Sequence, residues 1–180
     1  MKLIFARHGE TDWNIELKLQ GHADRILNEN GVRQAHALAE QLSGRTIHAV
    51  ISSDLKRAAE TARVVVAHHS LEVIEDARLR ECSYGDFEGM TWKEIERSYK
   101  LLKEDIYTRS SEPYDFRPYG GESKEVVLAR HKNCIGELLL IYPHDSTLLL
   151  VGHGAGFGTF LSSWGILERL GNAEYTEIDI

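Results

Sequence analysis

The chain has 180 residues, with 21 lysines and arginines against 28 aspartates and glutamates and a formal net charge of −7. That length fits a single domain over residues 1–180, burying about 70% of the surface its unfolded chain would expose. The acidic balance argues against nucleic-acid or anionic-membrane partners, so any anion site must be a local basic pocket.

The apolar stretch before Arg7 is too short for a signal peptide, and no later run reaches membrane-spanning length. Cys82 and Cys134 form neither a zinc-ligand spacing nor a disulfide framework, so a cytoplasmic chain with reduced thiols is expected.

In chain order, Lys2-Leu3-Ile4-Phe5-Ala6 reads as a buried strand that runs into Arg7-His8-Gly9-Glu10-Thr11. Asn28 caps a helix over about Glu29 to Leu42, with Val32, Ala35, Leu38, Ala39 and Leu42 on one face and Gly44 as its stop. Ile47 to Ser52 is a second strand. Ser53 or Asp54 caps the next helix, which turns Leu55, Ala58, Ala59, Ala62 and Val65 inward, and Leu71 to Ile74 is a third strand.

Leu79 to Gly89 reads as loop, and Thr91-Trp92-Lys93-Glu94 is a capping box opening a short helix. Residues around 100 to 119 carry mixed charge without clear period and read as a surface insertion over the site. Gly120-Gly121-Glu122-Ser123 starts a helix to about Tyr142, Thr147 to Val151 is a strongly apolar strand, and a helix follows Gly154. A last strand lies near Tyr175 to Ile178. Buried strands alternating with amphipathic helices predict an α/β three-layer sandwich, a mainly parallel central sheet flanked by helices.

His8 stands where a rigid strand ends, next to an arginine and before a glycine with no side chain to obstruct an incoming group. It is therefore a candidate nucleophile for phosphoryl transfer. Val151-Gly152-His153-Gly154 repeats the arrangement, and in an open parallel sheet the carboxyl ends of strands share one crevice. Arg7 and Arg57 read as cationic clamps, Arg57 one turn into a helix whose N-terminus itself favours anions, and His153 reads as a further donor.

A carboxyl turned into a partly apolar site would have its pKa raised, could protonate a leaving alkoxide, and could later take a proton from water. Glu81, Asp86 and Glu88 all qualify, and spacing alone does not choose among them. The other histidines (His22, His36, His48, His68, His69, His131 and His144) lack metal-ligand spacing, so no metal and no cofactor is expected. Trp13, Trp92 and Trp164 read as packing residues.

Taken together, RHGETDWN from Arg7, Gln20-Gly21, SSDLKRAAETA from Ser52, LRECSYGDFEG from Leu79, GGES from Gly120 and VGHG from Val151 resemble the histidine phosphatase superfamily, in its phosphoglycerate mutase-like branch. The match spans nearly the whole chain in order. The resemblance implies that fold, a covalent phosphohistidine on His8, and Arg7, Asn14, Arg57 and His153 around the phosphoryl group. It selects Glu81 as acid and base, and it places Gly9, Glu10, Thr11, Gln20, Gly21 and Gly154 in the substrate and phosphate loops.

Two departures stand out: Asp24-Arg25-Ile26-Leu27-Asn28 replaces the usual D-x-P-L-T, and Gly158 stands where the phosphatases often carry arginine.

These observations lead to a phosphomonoester phosphatase acting on a small phosphorylated metabolite. The alternatives are a phosphoglycerate mutase-type phosphotransferase and, lower, a catalytically silent phosphate-binding protein. A sugar phosphate, a nucleotide-loop intermediate and a phosphoglycerate all present the same phosphoryl group. Residues Gln20 to Ile26 and the insertion, with Arg109, Tyr114 and Arg117, are expected to discriminate among them.

Overall fold

The structure, a computed structural model, describes residues 1–101, 114–167 and 169–180. Its strands are β1 (Lys2–Arg7), β2 (Ala49–Ser52), β3 (Val73–Glu75), β4 (Thr147–Gly152) and β5 (Tyr175–Asp179), in the sheet order β3-β2-β4-β1-β5. Contacts β1 with β4, β2 with β4 and β2 with β3 are parallel, and β5 closes one edge antiparallel to β1. The sheet is thus mixed but mainly parallel, as the pattern predicted.

Period-two alternation divides the sheet's apolar residues between two cores. Leu3, Phe5, Ile51, Leu148 and Leu150 point to the face covered by α5 (Lys124–Ile141) and α6 (Gly154–Ser162), meeting Cys134, Ile135, Leu138, Phe157 and Phe160. Ile4, Ala6, Val50, Leu149 and Val151 point to the opposite face, under α2 (Glu29–Leu42) and α3 (Lys56–Val66), meeting Leu38, Leu42, Ala58, Ala62 and Val65.

Phe5 packs edge-on against Phe157 at 5.1 Å between centroids. Contact pairs of this kind are worth about 1 kcal/mol beyond their burial. A third cluster of Cys82, Tyr84, Phe87, Ile95, Phe116 and Val127 holds the Glu81 loop against α4 (Trp92–Tyr99) and α5, and a short helix α1 (Asp12–Ile15) follows the His8 loop.

Several boundaries differ from the expectation. Strand β2 begins at Ala49, not Ile47, and β3 covers Val73–Glu75, because pairing with β4 and β2 limits them and apolarity does not. Val32 is 41% exposed, and Gly31 takes the buried place on α2 instead.

Neither Ser53 nor Asp54 caps α3. Its N-cap is Leu55, without a side-chain bond, and Asp54 is drawn to the Arg80 guanidinium. The first amides of α3 are satisfied from a distant loop, Lys56 N–H by Asp24 Oδ1 at 2.7 Å and Arg57 N–H by the Arg25 carbonyl at 3.1 Å. The caps Asn28 and Thr91 are as read from the sequence, and α5 starts where expected, with Ser123 as its N-cap.

Most of the 100–119 insertion, Arg109 included, lies outside the described residues. At its far end the Tyr114 hydroxyl meets Thr159 Oγ1 at 2.9 Å, and exposed Arg117 is paired with Asp115. Among the described residues no helix is long and apolar enough to cross a membrane.

Candidate active site

Strands β1 and β4 lie side by side with Arg7 opposite Gly152, so the residues that follow them emerge together. The rings of His8 and His153 are 5.2 Å apart. His8 is buried, and its Nδ1 lies 2.6 Å from the Gly9 carbonyl, which can only accept. The proton is therefore on Nδ1, leaving Nε2 with a lone pair and no hydrogen bond among the described residues. Burial first, then the charges of Arg57 and Arg7, hold the His8 pKa well below the usual histidine value, so the ring is neutral.

His153 is anchored the other way. Its Nε2 is 2.8 Å from Ser53 Oγ, and Ser53 Oγ already accepts the Leu55 N–H at 3.3 Å. Among the described residues Nε2 is the one partner of that hydroxyl able to accept its proton, so the hydroxyl donates to Nε2 and the ring proton sits on Nδ1, a buried atom without a partner there. Its pKa too is held well below the ordinary value, by burial and then by Arg57.

Arg57 is fully buried, a position that needs multiple acceptors. Nη2 donates to the Gly21 carbonyl at 2.7 Å and Nη1 to the Ala23 carbonyl at 2.9 Å, while Nε stays buried and unpaired. Burial pulls its pKa down to about 10, so it remains a cation at neutral pH. Arg7 donates through Nη1 to the Leu170 carbonyl at 3.0 Å, and its buried Nε is likewise unpaired. Among the described residues, three buried donors, Arg7 Nε, Arg57 Nε and His153 Nδ1, are left without acceptors beside a histidine with a free lone pair.

The three acids are separated by their surroundings. Glu81 is 8% exposed and sits on the N-terminus of α6: Oε1 accepts from Cys82 N–H at 2.9 Å and Gly156 N–H at 2.7 Å, and Oε2 from Ala155 N–H at 3.1 Å. Because α6 starts directly after His153, this places the Glu81 carboxylate next to that histidine. Glu88 is a fastener, its Oε1 accepting from the His22 and Tyr84 N–H groups and the Ser83 hydroxyl, and Asp86 is exposed. Burial pushes the Cys82 thiol far up, leaving it protonated and inert.

The loop after His8 works differently from the expectation. Its amides are consumed internally, Gly9 N–H by Thr61 Oγ1 at 3.1 Å, Glu10 N–H by Gln34 Oε1 at 2.8 Å and Thr11 N–H by Asn14 Oδ1 at 3.0 Å. The Glu10 carboxylate turns to Asn28 and Asn30, both at 3.1 Å, and Thr11 caps α1, so neither joins the convergent group.

A Cβ on Gly9 would meet the Gly31 carbonyl at 2.4 Å, so that glycine is required by the close approach of α2 and not by an incoming group. Asn14 Oδ1 is shared with Asn172 Nδ2 at 3.4 Å. Gln20 is buried with an unpaired Oε1, and the Gly154 Cβ position is 3.4 Å from Arg7 Nε. A Cβ on Gly158 would meet nothing within 4 Å, so packing does not demand glycine there.

Sequence reasoning passed over Ser53, Thr61, Asn172 and Arg130. Ser53 and Thr61 stand in the SSDLKRAAETA segment that carries Arg57, a signal that was available. Asn172, whose Nδ2 reaches the His8 carbonyl at 3.1 Å, and Arg130 arrive from distant segments with no local signature.

Residues 3–177 match the histidine phosphatase superfamily (branch 1). The chain belongs to that superfamily. It is 33% identical to glucosyl-3-phosphoglycerate phosphatase of Mycobacterium tuberculosis, over 98% of this chain and 84% of that protein. Against the probable phosphoglycerate mutase GpmB of Proteus mirabilis it is 34% identical, over 91% of this chain and 74% of that one. The solved structure of mycobacterial glucosyl-3-phosphoglycerate phosphatase Rv2419c with VO3 superimposes with a TM-score of 0.88 at 32% identity, covering 98% of this chain and 90% of that one. The histidine phosphatase fold and its phosphomonoester phosphatase relatives place this chain among the hydrolases of that superfamily.

Proposed function

We propose that this histidine phosphatase hydrolyses a small phosphorylated metabolite in two steps through a phosphohistidine on His8. In the first, Glu81 enters as the neutral carboxylic acid: the His8 Nε2 lone pair attacks phosphorus, the N–P bond forms as the P–O ester bond breaks, and the departing alkoxide takes the Glu81 proton, leaving the carboxylate. In the second, water gives its proton to the Glu81 carboxylate, its oxygen attacks phosphorus, and the N–P bond breaks to release inorganic phosphate and neutral His8. Oε1 of Glu81 is engaged twice and Oε2 once, so Oε2 is the oxygen with capacity to carry that proton.

The single observation that carries this reading is the set of three buried, unpaired donors beside a neutral histidine. Unsatisfied buried donors are costly unless a ligand supplies acceptors, and a phosphoryl group supplies three equatorial oxygens. Donors fixed before reaction stabilise charge that spreads over those oxygens in the transition state. Arg7 and Arg57 serve as clamps and His153 as a neutral donor, with Asn14, Gln20, Gly21 and Gly154 around them. Among the described residues no group of three or more His, Cys, Asp or Glu gathers to hold a metal ion, and the arginines supply the positive charge that a metal would otherwise bring.

The test is a phosphate-release screen over sugar phosphates, phosphoglycerates and phosphoserine, with acid quenching to trap the phosphoenzyme. Phosphate release together with an acid-labile phosphate on His8 supports the reading. Isomerisation of 3-phosphoglycerate primed by the 2,3-bisphosphate, with little phosphate released, would replace it with the mutase.

A further inference from the structure

We propose that His22 is a positioning residue for the Glu81 carboxyl, acting through a single peptide plane; the inference rests on Glu81 being the proton donor to the leaving group. His22 Nε2 lies 2.9 Å from the Glu81 carbonyl oxygen, and a carbonyl only accepts, so Nε2 carries the proton and donates. The same oxygen accepts a second bond, from Arg130 Nη2 at 2.7 Å. Arg130 is itself held by Glu122, whose Oε2 lies 2.9 Å from Nη2 and 3.7 Å from His22 Nε2.

The Glu81 carbonyl and the Cys82 N–H are opposite ends of one planar peptide group, and that N–H grips Oε1 of Glu81 at 2.9 Å. Any tilt of the plane moves the N–H end and with it the carboxylate. Two donors on the oxygen end, converging from different segments, define the plane where one would leave it free to rock. On the opposite side Oε1 is fixed by Gly156 N–H at 2.7 Å, so the carboxyl is suspended between α6 and the peptide that His22 steadies.

His22 also ties the acid to the phosphoryl-binding side of the site. It directly follows Gly21, whose carbonyl is clamped by Arg57 Nη2 at 2.7 Å, and its own N–H is fixed by Glu88 Oε1 at 2.9 Å. One short segment thus registers a phosphoryl clamp on one side and the leaving-group acid on the other, and misplacement of a reacting group by about 1 Å costs on the order of 10²-fold in rate.

The experiment compares wild type, His22→Phe, His22→Gln and Glu81→Gln on p-nitrophenyl phosphate, whose leaving group needs little protonation, and on β-glycerophosphate, whose alkoxide needs it. Because the His22 side chain is 32% exposed, both of its variants are compatible with the fold, which thermal melts check. His22→Phe is expected to lower kcat about tenfold on β-glycerophosphate and less than about twofold on p-nitrophenyl phosphate, with KM unchanged. His22→Gln, which retains an N–H at similar reach, is expected to recover most of that loss.

Equal losses on the two esters, or no rescue by glutamine, would overturn the positioning role while Glu81→Gln still showed its selective loss. If Glu81→Gln itself shows no leaving-group dependence, the acid assignment falls and this inference falls with it.

Discussion

The ends of β1 and β4 use the same short sequence, an apolar strand followed by histidine and glycine, and the fold makes opposite groups of them. At His8 the neighbouring carbonyl of Gly9 fixes the proton on Nδ1 and leaves Nε2 as a lone pair. At His153 the hydroxyl of Ser53 holds Nε2 and leaves Nδ1 as a buried donor. One ring is prepared to attack and the other to receive negative charge, and the difference lies in which nitrogen is tied down. Chemical role here is decided by the partner on the far nitrogen, a contact that the strand-histidine-glycine pattern does not encode.

Breaking each side of that pair should give unequal effects. His8→Ala removes the only nucleophile in the scheme and is expected to lower turnover by on the order of 10⁴-fold or more while the fold persists. Steady-state kinetics with a phosphoenzyme trap checks it, and appreciable labelled phosphoenzyme in that variant would refute the assignment.

Glu81→Gln is expected to cost about 10²–10⁴-fold on esters with poor leaving groups and much less on p-nitrophenyl phosphate. His153→Ala should cost about 10²-fold, the scale of one preorganised donor, and should still form phosphoenzyme slowly. Ser53→Ala sharpens the comparison: freeing Nε2 allows the wrong tautomer, and turnover should fall about tenfold with His8 untouched.

Both histidines, and His131 behind them, are also stability sensors. His131 is fully buried, and burial pulls its pKa to about 4. Each of the three has a folded pKa below its unfolded value near 6.5, so the unfolded chain binds more protons between those limits. Stability is therefore complete above about pH 6.5 and is lost as pH falls toward 4, His131 alone contributing on the order of 3 kcal/mol. Urea melts from pH 7.5 to 4.5 measure this, and His131→Gln should flatten the slope without changing the leaving-group dependence at pH 7. The smallest expected effect is that of exhaustive chelation, which should leave turnover unchanged; loss of activity restored by one divalent ion would show a metal requirement.

Much of the fold was legible because it rests on period and caps. The unbroken apolar runs of β1 and β4, and the Asn28 and Thr91 caps, are local features whose physics is complete within a few residues. The α3 cap was misread for the opposite reason: its amides are satisfied by Asp24 and Arg25, some 30 residues upstream, while the local candidate Asp54 is captured by Arg80. Val32 failed because helical spacing alone does not report which edge of a face the neighbouring helix covers.

The candidate site divides along the same line. By itself the sequence determined that two histidines and two arginines stand at strand and helix ends, that the sheet is mainly parallel, and hence that these groups face one crevice. Spacing left Glu81, Asp86 and Glu88 open and the family resemblance selected Glu81; only the tertiary structure supplies the physical reason, because the N-terminus of α6 meets a loop more than 70 residues away in sequence. It also decided which donors are left unpaired, because a buried N–H is free or spent according to what packs on it, and packing is a property of the whole chain.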